Sequence, residues 1–100
     1  MIKVDIQKEK GIYKEIAFSG HAMYANFGKD IVCAAVSSIV TTTINGILSL
    51  DENSLSYKMK ENGLIIDCIN SKDETQKLIE NMINLLKELE ENYPKNIKVK

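Results

Sequence analysis

Tryptophan is absent from this 100-residue chain, proline and histidine occur once each, and cysteine occurs twice. Two cysteines are too few for the disulfide framework that small secreted domains depend on. One histidine and two distant cysteines also fall short of the ligand set of a structural zinc site. Fourteen acidic against 13 basic side chains leave a net charge of −1. The clear basic excess that phosphate binding draws on is missing, and direct nucleic-acid binding is not expected. No glycine-rich phosphate loop, internal repeat or low-complexity segment is visible, so no cofactor is expected. The amino-terminal MIKVDIQKEK has no apolar run of signal-peptide length, and no later segment is expected to reach the roughly 20 apolar residues of a membrane span. These absences point to a cytoplasmic protein with no membrane partner, whose cysteines are reduced thiols.

What remains is enough for one core. A hydrophobic fraction of 44% over 100 residues suits one domain spanning residues 1–100. Ile2, Val4 and Ile6 alternate with Lys3 and Asp5, the pattern of a half-buried strand. A charged run ending at Gly11 marks a turn, and a second strand over residues 12–19 would turn Ile12, Ile16 and Phe18 inward. The run IVCAAVSSIVTTTINGILSL is too long for a strand. Its apolar spacing (Val32, Val36, Ile39, Val40, Thr43, Ile47) predicts a buried helix of four to five turns, with Asp30 as N-cap. The β-branched TTTI stretch and Asn45-Gly46 are where it would bend or fray.

Residues 55–60 and 63–70 read as a second hairpin about Glu61-Asn62-Gly63, with Leu64, Ile66 and Cys68 on one face. Ser71 and Glu74 have the spacing of a capping box. The helix that follows carries Leu78, Ile79, Met82, Leu85, Leu86 and Leu89 at helical intervals, and Tyr93-Pro94 ends it. Its charges (Glu80, Lys87, Glu88, Glu90, Glu91) form a solvated face. Residues 97–99 return as a short strand. The order ββαββαβ implies an α+β two-layer sandwich, with two helices packed on a mostly antiparallel sheet.

The chemistry concentrates in GHAMYANFGKDIVCAAVSS, residues 20–38, which holds the single histidine and one cysteine. A cysteine attacks as a thiolate, and a neighbouring imidazole or a helix N-terminus lowers its pKa. Cys33, third in the helix after Asp30, has a claim to both. His21 follows a glycine at a strand end, and the loop between them can fold back. That arrangement suits a Cys33 nucleophile with His21 as base and then acid. It is equally the arrangement of a small core thiol and a surface histidine, and spacing alone leaves both open. Asp30 serves as a plain cap or as a third catalytic member. Ser37, one turn after Cys33 on the same face, is an ordinary helix residue or a hydrogen-bond partner near the thiol. Tyr24, Phe27 and Gly28 lie between the pair, as a substrate-binding lid or as pins holding the loop to the core. Cys68 reads as core.

The block GHA, then Gly28, then DIVCAAVS resembles the ribosomal-processing cysteine protease family (Prp), and the likeness runs over nearly the whole chain. The resemblance implies a homodimeric hydrolase of the bacterial cytosol. It would remove a short N-terminal extension from a large-subunit ribosomal protein, number twenty-seven, cutting after an aromatic residue. Carried onto this sequence, the nucleophile is Cys33 and the general base His21. Gly20, Asp30 and Ser37 match supporting positions, and the loop between histidine and cysteine would rearrange with substrate. Two other functions compete: a non-catalytic ribosome-assembly binding module, and a thiol hydrolase or transferase acting on a small molecule.

Overall fold

The computed structural model describes residues 1–20, 31–68 and 71–100. Alternating apolar residues build the first hairpin, β1 (Ile2–Glu9) and β2 (Ile12–Ser19), paired antiparallel. Its two-residue turn puts Lys10 at φ 54° and Gly11 at φ 79°, the left-handed pair that matches strand twist in a tight hairpin. Helix α1 (Ile31–Leu50) follows, then the second hairpin, β3 (Ser56–Lys60) and β4 (Gly63–Asp67). Helix α2 (Asp73–Asn92) and β5 (Ile97–Val99) complete the ββαββαβ order.

The sheet runs β3-β4-β2-β1-β5, antiparallel except for the β1–β5 pair. Only one of its faces is apolar. Ile2 and Val4 of β1, Ile16 and Phe18 of β2, and Leu64 and Ile66 of β4 are buried, while Lys3, Asp5 and Lys98 face outward. Both helices therefore lie on that single face, and one cluster of buried residues draws on every element except the edge strand β3. This is the two-layer α+β sandwich expected.

Several details differ from the expectations. Ile12 is 43% exposed rather than inward. The register slips between Gln7 and Lys8, so that Lys14 is an extra residue on β2. Such a bulge shifts the side-chain alternation, and Tyr13 packs on the core in place of Ile12. The Gln76 side chain holds that site. Its Oε1 accepts from the Tyr13 N–H at 2.8 Å, and its Nε2 donates to the Tyr13 carbonyl at 2.9 Å and to Ser71 Oγ at 2.6 Å. Ser71 consequently does not cap α2. Its hydroxyl donates to the Cys68 carbonyl at 2.8 Å, and the N-cap position falls to Lys72, which makes no side-chain cap bond.

In α1, Ile44 is buried where Thr43 was expected; Thr43 Oγ1 instead donates back to the Ile39 carbonyl at 2.8 Å, an outlet for a helical threonine. The helix passes through Asn45-Gly46 unbroken. In α2, Ile83 is buried, while Leu78 and Leu85 are 36% and 39% exposed. The apolar stripe there is wider than the part the sheet covers.

The expectation that no segment is long enough to span a membrane also needs correcting. Helix α1 has 20 residues and a mean hydropathy of 1.8 over its most apolar window, and it carries no charged residue. By length and composition it meets the requirement of a spanning helix. In the fold, one face of it fills the core with Val32, Val36, Val40 and Ile47, while Ser38, Thr41, Thr42 and Ser49 are exposed on the other.

The two strands that carry the centre of the sheet approach closely at Gly63. A Cβ there would drive into the Phe18 carbonyl of β2. Gly63→Ala is expected to cost about 3 kcal/mol or to prevent folding. Gly46→Ala, where a Cβ meets nothing, is expected to stabilise by about 0.5–1 kcal/mol. Urea unfolding of the two variants checks both signs.

Candidate active site

Helix α1 begins at Ile31, so Cys33 is its third residue. The N–H groups of a first helical turn have no intrahelical acceptor, and together with the helix dipole they favour negative charge beside them. No acidic side chain occupies this first turn, so that field is not offset from within the helix. A helix N-terminus favours the thiolate form of a cysteine, and burial in apolar surroundings opposes it. The Cys33 side chain itself is fully buried, in the same apolar cluster as Val32 and Val36. Ser37, four residues on and so on the same helix face, is half-buried.

Gly20 follows β2 under two backbone constraints. Its φ is +105°, and a Cβ built on it would lie 2.5 Å from the Met1 carbonyl oxygen. Its N–H donates to the Asn62 carbonyl at 3.1 Å. The residue before His21 is thus clamped between the chain's first residue and the β3–β4 turn, and the glycine is required by space as well as by conformation. His21, Tyr24, Phe27, Gly28 and Asp30 lie outside the described residues, as does the loop they form. What the structure brings together is Cys33 with Ser37 on α1, and Gly20 with the turn of the second hairpin.

The second cysteine is of a different kind. Cys68, fully buried, follows β4, where its N–H donates to the Lys14 carbonyl at 2.9 Å. Burial pushes its thiol up to about 11; the Asp67 and Glu15 carboxylates add to the rise and Lys14 opposes it. At neutral pH it is a protonated core thiol. Neither cysteine is in a disulfide. Among the described residues no group of three or more histidine, cysteine or carboxylate side chains could hold a metal ion.

Beyond Ser37, the flank of α1 and the edge strand β3 enclose a groove of about 420 Å³. Val40 and Ile44 line it from the helix, and Tyr57, Met59 and Leu64 from the sheet. Nothing in the sequence marks Tyr57 or Met59 as functional. Their alternation with lysines is that of any half-buried strand, and only the position of β3 at the sheet edge leaves them open.

Comparison with known proteins agrees with this geometry. The family model described as cysteine protease Prp matches residues 1–98. The chain is 32% identical to the ribosomal processing cysteine protease Prp of Bacillus subtilis, over 99% of this chain and 96% of that protein. It is 31% identical to the Staphylococcus aureus protein of the same name, over 99% and 97%. A crystal structure of an essential ribosomal processing protease Prp from S. aureus, in complex with a covalently linked product peptide, superposes with a TM-score of 0.86 at 29% identity, over 99% of this chain and 97% of that one.

The two thiols should respond differently to reagents. In a folded Cys33→Ala variant, Cys68 is expected to resist iodoacetamide at pH 7 and to react once urea unfolds the chain, as followed by mass spectrometry. Its raised pKa also acts on stability. The unfolded thiol ionises first, so between its ordinary value of 9.0 and about 11 the folded state holds the extra proton. Stability from this group is complete below that window and falls as pH rises through it, by at most about 1.4 kcal/mol per unit. Urea midpoints of wild type and Cys68→Ser across pH 8–11 isolate the effect.

Proposed function

The chain belongs to the Prp family of cysteine proteases, and from that premise we propose that it removes the short N-terminal extension of large-subunit ribosomal protein number twenty-seven. The cut follows an aromatic residue. Cys33 is the nucleophile and His21 the general base and acid. The observation that carries this reading is the place of Cys33 in the first turn of an α1 that has no acidic residue there.

The chemistry needs little else. The Cys33 thiolate attacks the carbonyl carbon after the aromatic residue, forming a carbon–sulfur bond and an oxyanion. The helix dipole at the N-terminal end of α1 stabilises that oxygen. His21, having taken the thiol proton, returns it to the leaving amine as the peptide bond breaks. Water then attacks the thioester, with His21 as base, and releases the carboxylate and the thiol. The S. aureus relative is known in complex with a covalently linked product peptide. Gly20 positions His21 through its clamp to Met1 and Asn62. Asp30 and Ser37 support the geometry on either side of Cys33, and Tyr24, Phe27 and Gly28 form the wall against the substrate. Because Cys33 is closed off from solvent, productive binding requires the groups over it to shift. The reading extends to a homodimer in the bacterial cytosol, acting without cofactor, nucleic-acid contact or membrane.

One observation favours the competing module. A fully buried Cys33 is also what a packing cysteine looks like. Incubating wild type and Cys33→Ala with the unprocessed ribosomal protein, and reading products by mass spectrometry, separates the two. A single cut after an aromatic residue is expected with wild type, reduced by at least about 10³-fold in Cys33→Ala with the melting temperature retained. An intact precursor with folded wild type, or a Cys33→Ala protein that unfolds, would favour the binding module.

A further inference from the structure

Strand β3 ends the sheet on the side of β4, and all five of its residues are exposed. Tyr57 and Met59 lie opposite the buried Ile66 and Leu64, so their side chains point to the helix layer. They nevertheless remain 51% and 46% exposed, because the sheet stops there. The groove they share with Val40 and Ile44 of α1, about 420 Å³, is of the size of small-ligand clefts.

The backbone of this strand is oriented to match. Lys60 and Gly63 flank a two-residue turn, and such a closing pair exchanges both ladder hydrogen bonds. Pairs alternate along an antiparallel ladder, so Lys58 with Ile65 and Ser56 with Asp67 are the other bonded pairs. Tyr57 and Met59 then turn their N–H and C=O groups away from β4. Among the described residues no hydrogen bond takes up these groups. At the opposite edge of the sheet the outward N–H of Val99 on β5 donates to Glu90 Oε2 at 3.0 Å. One edge thus has a backbone donor taken up by a side chain, and the other presents unpaired backbone and an apolar groove together.

That open edge also leads to the chemistry. At one end lies the β3–β4 turn, whose Asn62 carbonyl holds Gly20, the residue before His21. Along its length runs α1 from Ser37 to Asn45, a rise of about 12 Å, beginning one turn after Cys33. Five residues of extended peptide cover about 17 Å.

Resting on the peptidase reading above, we infer that the β3 edge takes the substrate peptide as a sixth strand. The N–H and C=O groups of Tyr57 and Met59 bind its backbone, and apolar side chains at alternate positions enter the groove. A peptide fits better than a second copy of this chain. Antiparallel self-pairing centred on Lys58 or on Met59 sets lysine opposite lysine (Lys58 on itself, or Lys58 on Lys60), and like charges directly opposite are destabilising. Centred on Tyr57 it avoids that clash but leaves a ladder of only three residues, because β3 starts at Ser56.

The test uses a peptide of about ten residues spanning the cleavage site of the ribosomal-protein precursor, with single backbone N-methyl groups at successive positions. Calorimetric binding to Cys33→Ala protein reads affinity independently of turnover. Methylation is expected to weaken binding about tenfold at every second position and little between. In wild-type background Met59→Lys is expected to raise KM about tenfold with kcat kept, whereas Leu85→Lys, an exposed apolar residue elsewhere, changes neither. Circular dichroism verifies the fold of each variant. Methylation effects without a period of two, or an unchanged KM in Met59→Lys, would overturn the inference while cleavage by wild type leaves the peptidase reading intact. Periodic binding without cleavage by wild type would sink the peptidase reading and keep the docking edge. A dimer seen by light scattering in wild type and lost in Met59→Lys would assign the edge to a second copy and overturn the inference.

Discussion

Strand β2 is the member on which both halves of the molecule hang. It pairs with β1 on one side and β4 on the other, and is the only connection between the two hairpins within the sheet. The pairing with β4 demands a residue without a side chain at Gly63, against the Phe18 carbonyl. One residue past the end of β2, Gly20 meets the Met1 carbonyl and the Asn62 carbonyl at once. The point where the chain leaves the sheet is accordingly held from both sides, by the residue before β1 and by the β3–β4 turn.

The one-sided sheet determines the rest of the design. Because only one face is apolar, α1 and α2 must share it, and they pack on each other as well as on the strands. A five-stranded sheet is wider than two helices can cover, and the shortfall appears at β3. There the pattern of a half-buried strand persists, with Tyr57 and Met59 on the helix side, but no helix reaches over them. The cysteine-bearing first turn of α1 and this uncovered strand are therefore consequences of the same packing. One helix supplies both the first-turn N–H groups and the wall of the groove.

The two cysteines show how position rather than residue type decides chemistry. Both are fully buried thiols in one apolar cluster. Cys68 follows a strand, with Asp67 and Glu15 near enough to oppose its ionisation. Cys33 lies in the first turn of α1, which carries no carboxylate of its own.

Much of this was legible in the chain itself, for a local reason. Alternation at Ile2-Val4-Ile6, the charge-free apolar run from Ile31 to Leu50, and the turn signal Glu61-Asn62-Gly63 each report conformation over a few neighbouring residues, and the seven elements emerge in their right order. The block from Gly20 to Ser37 carries the family resemblance through residue types at short spacing, while that spacing alone leaves a nucleophile and a core thiol both open. Tertiary structure decided everything that depends on which distant segments meet. The bulge at Lys14, which exchanges Ile12 for Tyr13, exists where Gln76 and Cys68 bond to the β2 backbone. Ser71 is drawn from its capping role by Gln76. The order β3-β4-β2-β1-β5 leaves Tyr57 and Met59 open, though in sequence they are indistinguishable from core residues. Periodicity says which face of an element is apolar; only long-range packing says whether anything covers it.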